Sequence, residues 1–115
     1  MSQRTERFEK VARQVLGEEI TRLKDPRIGF ATVTRVRVTP DLQRARVLVS
    51  VLGSDEEQRA TMDGLASATP HLRTELGRQV RLKHLPELVF ELDERAESAA
   101  RVESLLRQIH EEGQG

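Results

Sequence analysis

Apolar residues open the chain at steps of three and four: Phe8, Val11, Ala12, Val15, Leu16, Ile20 and Leu23. That spacing predicts one buried stripe on a helix from about Thr5 to Leu23, with Thr5 as N-cap. Asp25-Pro26 ends it, because a proline keeps the residue before it out of helical geometry. Arg7, Lys10, Arg13 and Glu18 occupy the outer face, and Asp25 to Gly29 reads as a turn.

Two β-branched runs follow. Ala31, Val33, Val36 and Val38 slip phase between Val33 and Val36, which predicts a bulge near Thr34-Arg35. After the connection Thr39-Pro40-Asp41-Leu42, the residues Ala45, Val47, Val49 and Val51 hold a period of two. Arg44, Arg46, Leu48 and Ser50 then share the other face, as in an antiparallel pair with one side buried.

Ser54 caps a further helix whose first turn carries Asp55, Glu56 and Glu57. Met62, Leu65, Ala66 and Ala68 make a weak stripe that Thr69-Pro70 interrupts. The expectation is a kink at Ala68, Thr69 and Pro70 and a second short helix. Thr69 would be its N-cap, Pro70 its first residue, Leu72 and Leu76 its buried side and Gly77 its C-cap. A third strand is expected over Leu88 to Leu92, with Val80 as its earliest start. A terminal helix follows from Glu94 to His110, with Val102, Leu105, Leu106 and Ile109 inward, and then a frayed tail. There are no internal repeats. The expected organisation is one α+β domain over residues 1–93, a two-layer sandwich with its helices on one side of a three-stranded sheet. Residues 94–115 are expected to form a C-terminal helix and acidic tail.

Composition narrows the function classes. A chain of 115 residues has room for one modest core. No stretch approaches the roughly 18 consecutive apolar residues of a membrane span, and Met1-Ser2-Gln3-Arg4 carries no apolar signal core. The absence of cysteine excludes disulfides and thiolate metal sites. A soluble, cytoplasmic protein is the expectation.

Net charge is zero, from 19 basic and 19 acidic residues, yet the charges are segregated. Between Arg27 and Leu52 stand Arg27, Arg35, Arg37, Arg44 and Arg46 against Asp41 alone, a net of +4. Between His71 and His84 stand Arg73, Arg78, Arg81 and Lys83 against Glu75, a net of +3, whereas Leu85 to Gly115 carries −5. All basic residues but Lys10, Lys24 and Lys83 are arginine, whose planar fork suits phosphate oxygens.

No catalytic motif is present: there is no nucleophile elbow, phosphate-cradling loop, dinucleotide fingerprint or zinc-binding His-Glu-x-x-His. His71 and Glu75 have the spacing of two metal ligands on one helix face, but no third ligand lies near in sequence. Glu56 and Glu57 read as helix-start charges, and His84 and His110 as surface residues. No enzyme, metal, cofactor or small-molecule substrate is expected.

Binding has more support. The order α-β-β-α-α-β is that of the KH-type RNA-binding domain in its type II arrangement. A KH module grips nucleotide backbones with a Gly-x-x-Gly loop, and none occurs here. What remains is the expected helix start at Pro70, whose outward N–H groups and dipole suit phosphate. His71 and Arg73 flank it, and Arg78, Arg81 and Lys83 follow. The expected RNA-binding surface joins these five residues to Arg27, Arg35, Arg37, Arg44 and Arg46. Phe8, Phe30 and Phe90 are the only aromatics, each at a position expected in the core, so base stacking is not the expected mode. Contacts with phosphate and sugar, and hence salt-dependent binding, are.

Four segments, in order and across nearly the whole chain, resemble the ribosome-binding factor A family. They are Leu23-Lys24-Asp25-Pro26-Arg27-Ile28 with Gly29-Phe30; Val36 to Val51; Leu72-Arg73-Thr74-Glu75-Leu76-Gly77; and Arg81-Leu82-Lys83 with Pro86-Glu87-Leu88. The resemblance implies a non-enzymatic factor, linked to growth in the cold, that binds the free small (30S) ribosomal subunit. It assists maturation of the 16S rRNA, including 5′-end processing. The family replaces the KH loop by an Ala-x-Gly kink; here Ala68 and Thr69 precede Pro70, which supplies neither a positive φ nor an N–H. The acidic end resembles the family's variable tail. The other class to weigh is a protein–protein interaction module that docks through that acidic helix. A monomer is expected, since no long apolar seam is left over.

Overall fold

The computed structural model describes residues 3–95. Their elements are α1 (Gln3–Thr21), β1 (Ala31–Val38), β2 (Arg44–Val51), α2 (Asp55–Gln79) and β3 (Glu87–Leu92). The sheet has the order β1-β2-β3, with β1 antiparallel and β3 parallel to β2. A parallel neighbour cannot be reached by a tight turn, so α2 serves as the crossover.

The period-two run in β2 sets the core. Ala45, Val47, Val49 and Val51 are buried beneath the helices, between Val33 and Val36 of β1 and Leu88 of β3. Phe8, Ala12, Val15, Leu16 and Ile20 of α1 and Leu65, Leu72 and Leu76 of α2 close the layer. The expected bulge is present: Val33 faces Val49 but Arg35 faces Leu48, leaving Thr34 as the extra residue. Its hydroxyl donates to Asp93 Oδ2 at 2.6 Å, and the Asp93 N–H donates to the Val49 carbonyl at 2.7 Å. The end of β3 is thereby tied across β2 to β1. On the outer edge of β1, the Val38 N–H donates to the Glu9 carboxylate at 2.9 Å.

Several sequence expectations need correction. The kinked pair of middle helices is one continuous helix, with Pro70 inside it. An interior proline costs about 3 kcal/mol relative to alanine. Leu65, Leu72 and Leu76 lie on one face and are fully buried, and at roughly 2 kcal/mol each their burial outweighs that cost. Thr69 does not cap a new helix; its hydroxyl donates back to the Leu65 carbonyl at 2.9 Å, and that of Thr74 to Pro70 at 3.0 Å. Gly77 is not the C-cap but an interior residue beside Leu85, and the helix ends on an extended Val80. Thr5 is buried within α1 rather than capping it. Ala66 is exposed, and Thr61 and Gly64 take the buried positions instead. Phe30 is not in the core: it is 82% exposed. Beyond Glu94 and Arg95, the expected terminal helix and tail lie outside the described residues.

Candidate nucleic-acid interface

The pleat that buries the valines of β2 turns its arginines to the uncovered face of the sheet. Across that face the register aligns Arg35, Leu48 and Glu91 in one row, Arg37, Arg46 and Val89 in the next, and Arg44 with Glu87 beyond them. Without the bulge at Thr34, Arg35 and Arg37 would fall in phase with the buried Val33; the extra residue turns both to the uncovered face. Arg35 and Arg37 also border a depression of about 680 Å³ along the outer edge of β1, where α1 contributes Glu9, Lys10 and Arg13 and the chain after β3 contributes Asp93 and Arg95.

Not all of these charges are equally available. Arg46 donates Nε and Nη2 to one oxygen of Glu91, at 2.9 and 2.7 Å, and that carboxylate raises its pKa further. Arg44 lies 3.7 Å from Glu87, and Arg95 lies 3.5 Å from Asp93. Among the described residues, Lys10, Arg13, Arg35 and Arg37 form no ion pair. With Arg95 they set five cations against Glu9 and Asp93 in the depression, a net of +3 that raises the local potential and favours a polyanion.

A second basic group stands where α1 begins. Arg4 and Arg7 line a hollow with Arg81, and Arg4 lines another with Lys83 and His84. The remaining expected site residues are elsewhere. Arg27 is at the far end of β1, its Nη2 2.7 Å from Asp25. Hydrogen bonds from the Arg27 side chain and backbone hold the Asp25 carboxyl below its ordinary pKa. His71 is exposed on α2, and Arg78 lies 3.5 Å from Glu75. Arg73 is turned inward along the surface, donating Nε to the Pro86 carbonyl at 3.0 Å and Nη2 to that of Leu85 at 2.7 Å.

The phosphate seat expected at Pro70 is absent, because no helix starts there. The start of α2 is at Ser54, in a capping box with Glu57, and its first turn holds three acids that already answer the helix dipole. The expected surface is therefore two separate basic groups, one on the sheet with Arg35, Arg37, Arg44 and Arg46, one at its end with Arg81 and Lys83. Sequence reasoning misses Arg4, Arg7, Lys10, Arg13 and Arg95 as site residues. Those of α1 lie at helical spacing on either side of the apolar stripe, where ordinary solvated charges also stand. Among the described residues, no group of three His, Asp or Glu side chains is placed to hold a metal ion, and no helix is long and apolar enough to cross a membrane.

The family profile of ribosome-binding factor A matches residues 4–106. A ribosome-binding factor A from Brevibacillus brevis is 48% identical over 108 residues, covering 86% of this chain and 89% of that protein. The crystal structure of ribosome-binding factor A from Thermus thermophilus superposes with a TM-score of 0.70 at 31% identity, covering 76% of this chain and 93% of that one. The solution structure of a Thermotoga maritima protein, a putative ribosome binding factor A by its description, gives 0.71 at 33% identity, over 79% and 88% of the two chains. A homology model of the Thermus thermophilus factor, fitted into the cryo-EM map of its complex with 30S, gives 0.59 at 34% identity, over 70% and 85%. The two-helix, three-stranded arrangement and the profile match agree: the chain belongs to the ribosome-binding factor A family.

Proposed function

We propose that this protein binds the free 30S ribosomal subunit through its 16S rRNA and assists late maturation of that rRNA, including 5′-end processing. The observation that carries the reading is the set of Lys10, Arg13, Arg35 and Arg37, gathered from α1 and β1 and forming no ion pair among the described residues, in a depression whose acids are Glu9 and Asp93. Their fit is to phosphate and sugar, contacts that position a protein on RNA without reading bases. The Thermus relative fitted into a 30S complex supports the choice of partner. The protein acts by occupancy, as a monomeric cytoplasmic factor needed most in the cold, and not by catalysis. Its KH-like character lies in the sheet and its helix layer, since the gripping loop is missing.

Sedimentation of the full chain through sucrose gradients at low and high salt tests this. Co-migration with free small subunits that is lost at high salt and absent from intact ribosomes is expected. A protein that stays at the top in both salts overturns the reading. In cells lacking it, 16S rRNA with an unprocessed 5′ end should accumulate, most of all in the cold.

A further inference from the structure

Three large apolar side chains are exposed among the described residues, and two of them are neighbours: Phe30 at 82% and Leu52 at 74%. Single exposed apolar residues are ordinary, but an adjacent pair held in place is less so. The Leu52 N–H donates to the Phe30 carbonyl at 3.0 Å, extending the β1–β2 ladder by one step past Ala31 and Val51. Directly opposed residues share a face, so both side chains emerge on the uncovered side of the sheet. The segment is clamped from behind as well: the Gly29 N–H donates to Thr61 Oγ1 at 3.0 Å, and Ile28 packs on Gly64. The pair is a fixed feature of the surface.

Its surroundings are acidic. Segments 18–30 and 52–63 meet at this end of the sandwich and carry a net charge of −3. Arg22 and Arg27 are committed to Glu19 and Asp25; Asp55, Glu56 and Asp63 are exposed and, like Lys24 and Arg59, enter no ion pair among the described residues. The basic groups lie on the middle of the sheet and at the opposite end, where Arg4, Arg7, Arg81 and Lys83 stand. An RNA backbone brought to this end of the sandwich would meet net negative charge rather than the arginine rows. A cationic partner is drawn to the same place.

We infer that Phe30 and Leu52, at the end of the sandwich that also carries Asp55, Glu56 and Asp63, form a docking surface for a basic protein segment, one that seats an apolar side chain flanked by lysine or arginine. The patch lies on the same side of the sheet as the arginine rows but at its end, set off from Arg35 and Leu48 by the Thr32–Ser50 row, and its occupant does not depend on rRNA binding. A nucleotide base stacked on Phe30 is the competing occupant.

The test is photo-crosslinking in living cells, using the full chain with p-benzoylphenylalanine in place of Phe30 and, separately, of Arg37. At position 30 the expected product is an adduct to a protein, mapped by mass spectrometry to a stretch with net positive charge. Its yield should drop several-fold when Asp55→Lys and Glu56→Lys are added, or when Leu52→Ser is. An adduct to RNA, an adduct to a neutral or acidic stretch, or none, overturns the inference, as does a yield indifferent to these changes in chains whose circular dichroism is unaltered. Position 37 reports on the rRNA face independently: without an rRNA adduct there the proposed function fails, whatever position 30 shows.

Discussion

Arg73 reaches from α2 to the segment ahead of β3, where its guanidinium donates to the Pro86 carbonyl at 3.0 Å and to that of Leu85 at 2.7 Å. A side chain that looks like a phosphate ligand in the sequence is thus a clasp. It satisfies two carbonyls at the point where the chain turns into a parallel strand. Arg73→Ala should lower unfolding stability by about 1 kcal/mol, read as a lower Tm. Arg73→Lys should not restore it, because a single ammonium cannot span both carbonyls as the fork does. Affinity of the folded variant for 30S subunits should be unchanged.

Arg35 and Arg37 should behave in the opposite way. Replacing both by glutamine removes two unpaired cations from an exposed face and leaves the buried valines untouched, so Tm should hold. The plot of log affinity for 30S subunits against log salt should flatten by about two, since each arginine that neutralises a phosphate adds nearly one unit to the slope. An unchanged slope would remove these residues from the interface.

Two helical glycines separate propensity from packing. Glycine to alanine inside a helix gains about 1 kcal/mol from propensity alone. At Gly77 the added methyl meets chiefly the Cδ1 of Leu85, the movable tip of a half-buried side chain, so Gly77→Ala should raise Tm slightly. At Gly64 a Cβ would lie 2.6 Å from Ile28 Cγ1, close to the backbone of a clamped segment. Overpacking of that kind costs about 1–3 kcal/mol, so Gly64→Ala should lower Tm. Opposite signs in thermal melts are the expected result.

Pro70→Ala returns an N–H to a helix that runs unbroken past this point. The variant should be more stable by up to about 3 kcal/mol, less whatever bend relaxes. Denaturant unfolding reads this directly: a higher midpoint at constant m-value is expected.

Acid should loosen both ends of the β1–β2 hairpin. Hydrogen bonds from Arg27 lower the Asp25 pKa, and those from the Thr39 hydroxyl and the Gln43 N–H lower that of Asp41. A carboxyl with a depressed pKa in the fold contributes stability above its unfolded value and loses it as pH falls through the folded one. Tm should therefore decline from about pH 4 downward, and Asp25→Asn with Asp41→Asn should make that decline shallower.

How legible the fold is in the sequence depends on how far along the chain each cause acts. The phase slip between Val33 and Val36 is local, and it places the bulge at Thr34 correctly. The two expected middle helices merge because Leu65 and Leu72 share a tertiary environment that outweighs what Pro70 does to its neighbours. Phe30 misleads for a related reason: apolar identity says nothing about which side of the last ladder step a residue takes. The arginines of β1 and β2 are readable from alternation. Lys10 and Arg13 are not, since only the packing of α1 along β1 brings them beside Arg35 and Arg37. For Arg73, charge alone does not distinguish an RNA contact from a carbonyl clasp thirteen residues away.

The parallel placement of β3 has a further consequence for synthesis. The hairpin of β1 and β2 is complete once residue 51 has emerged, but the second edge of β2 stays uncovered until α2 has been made and residues 87–92 follow. An exposed strand edge is an invitation to pair with a neighbouring nascent chain. On this strand the buried valines alternate with Arg44 and Arg46, and like charges facing one another across two such edges repel. The same side chains that line the RNA face of the finished molecule thus act beforehand as gatekeepers, keeping half-made copies apart until the third strand arrives.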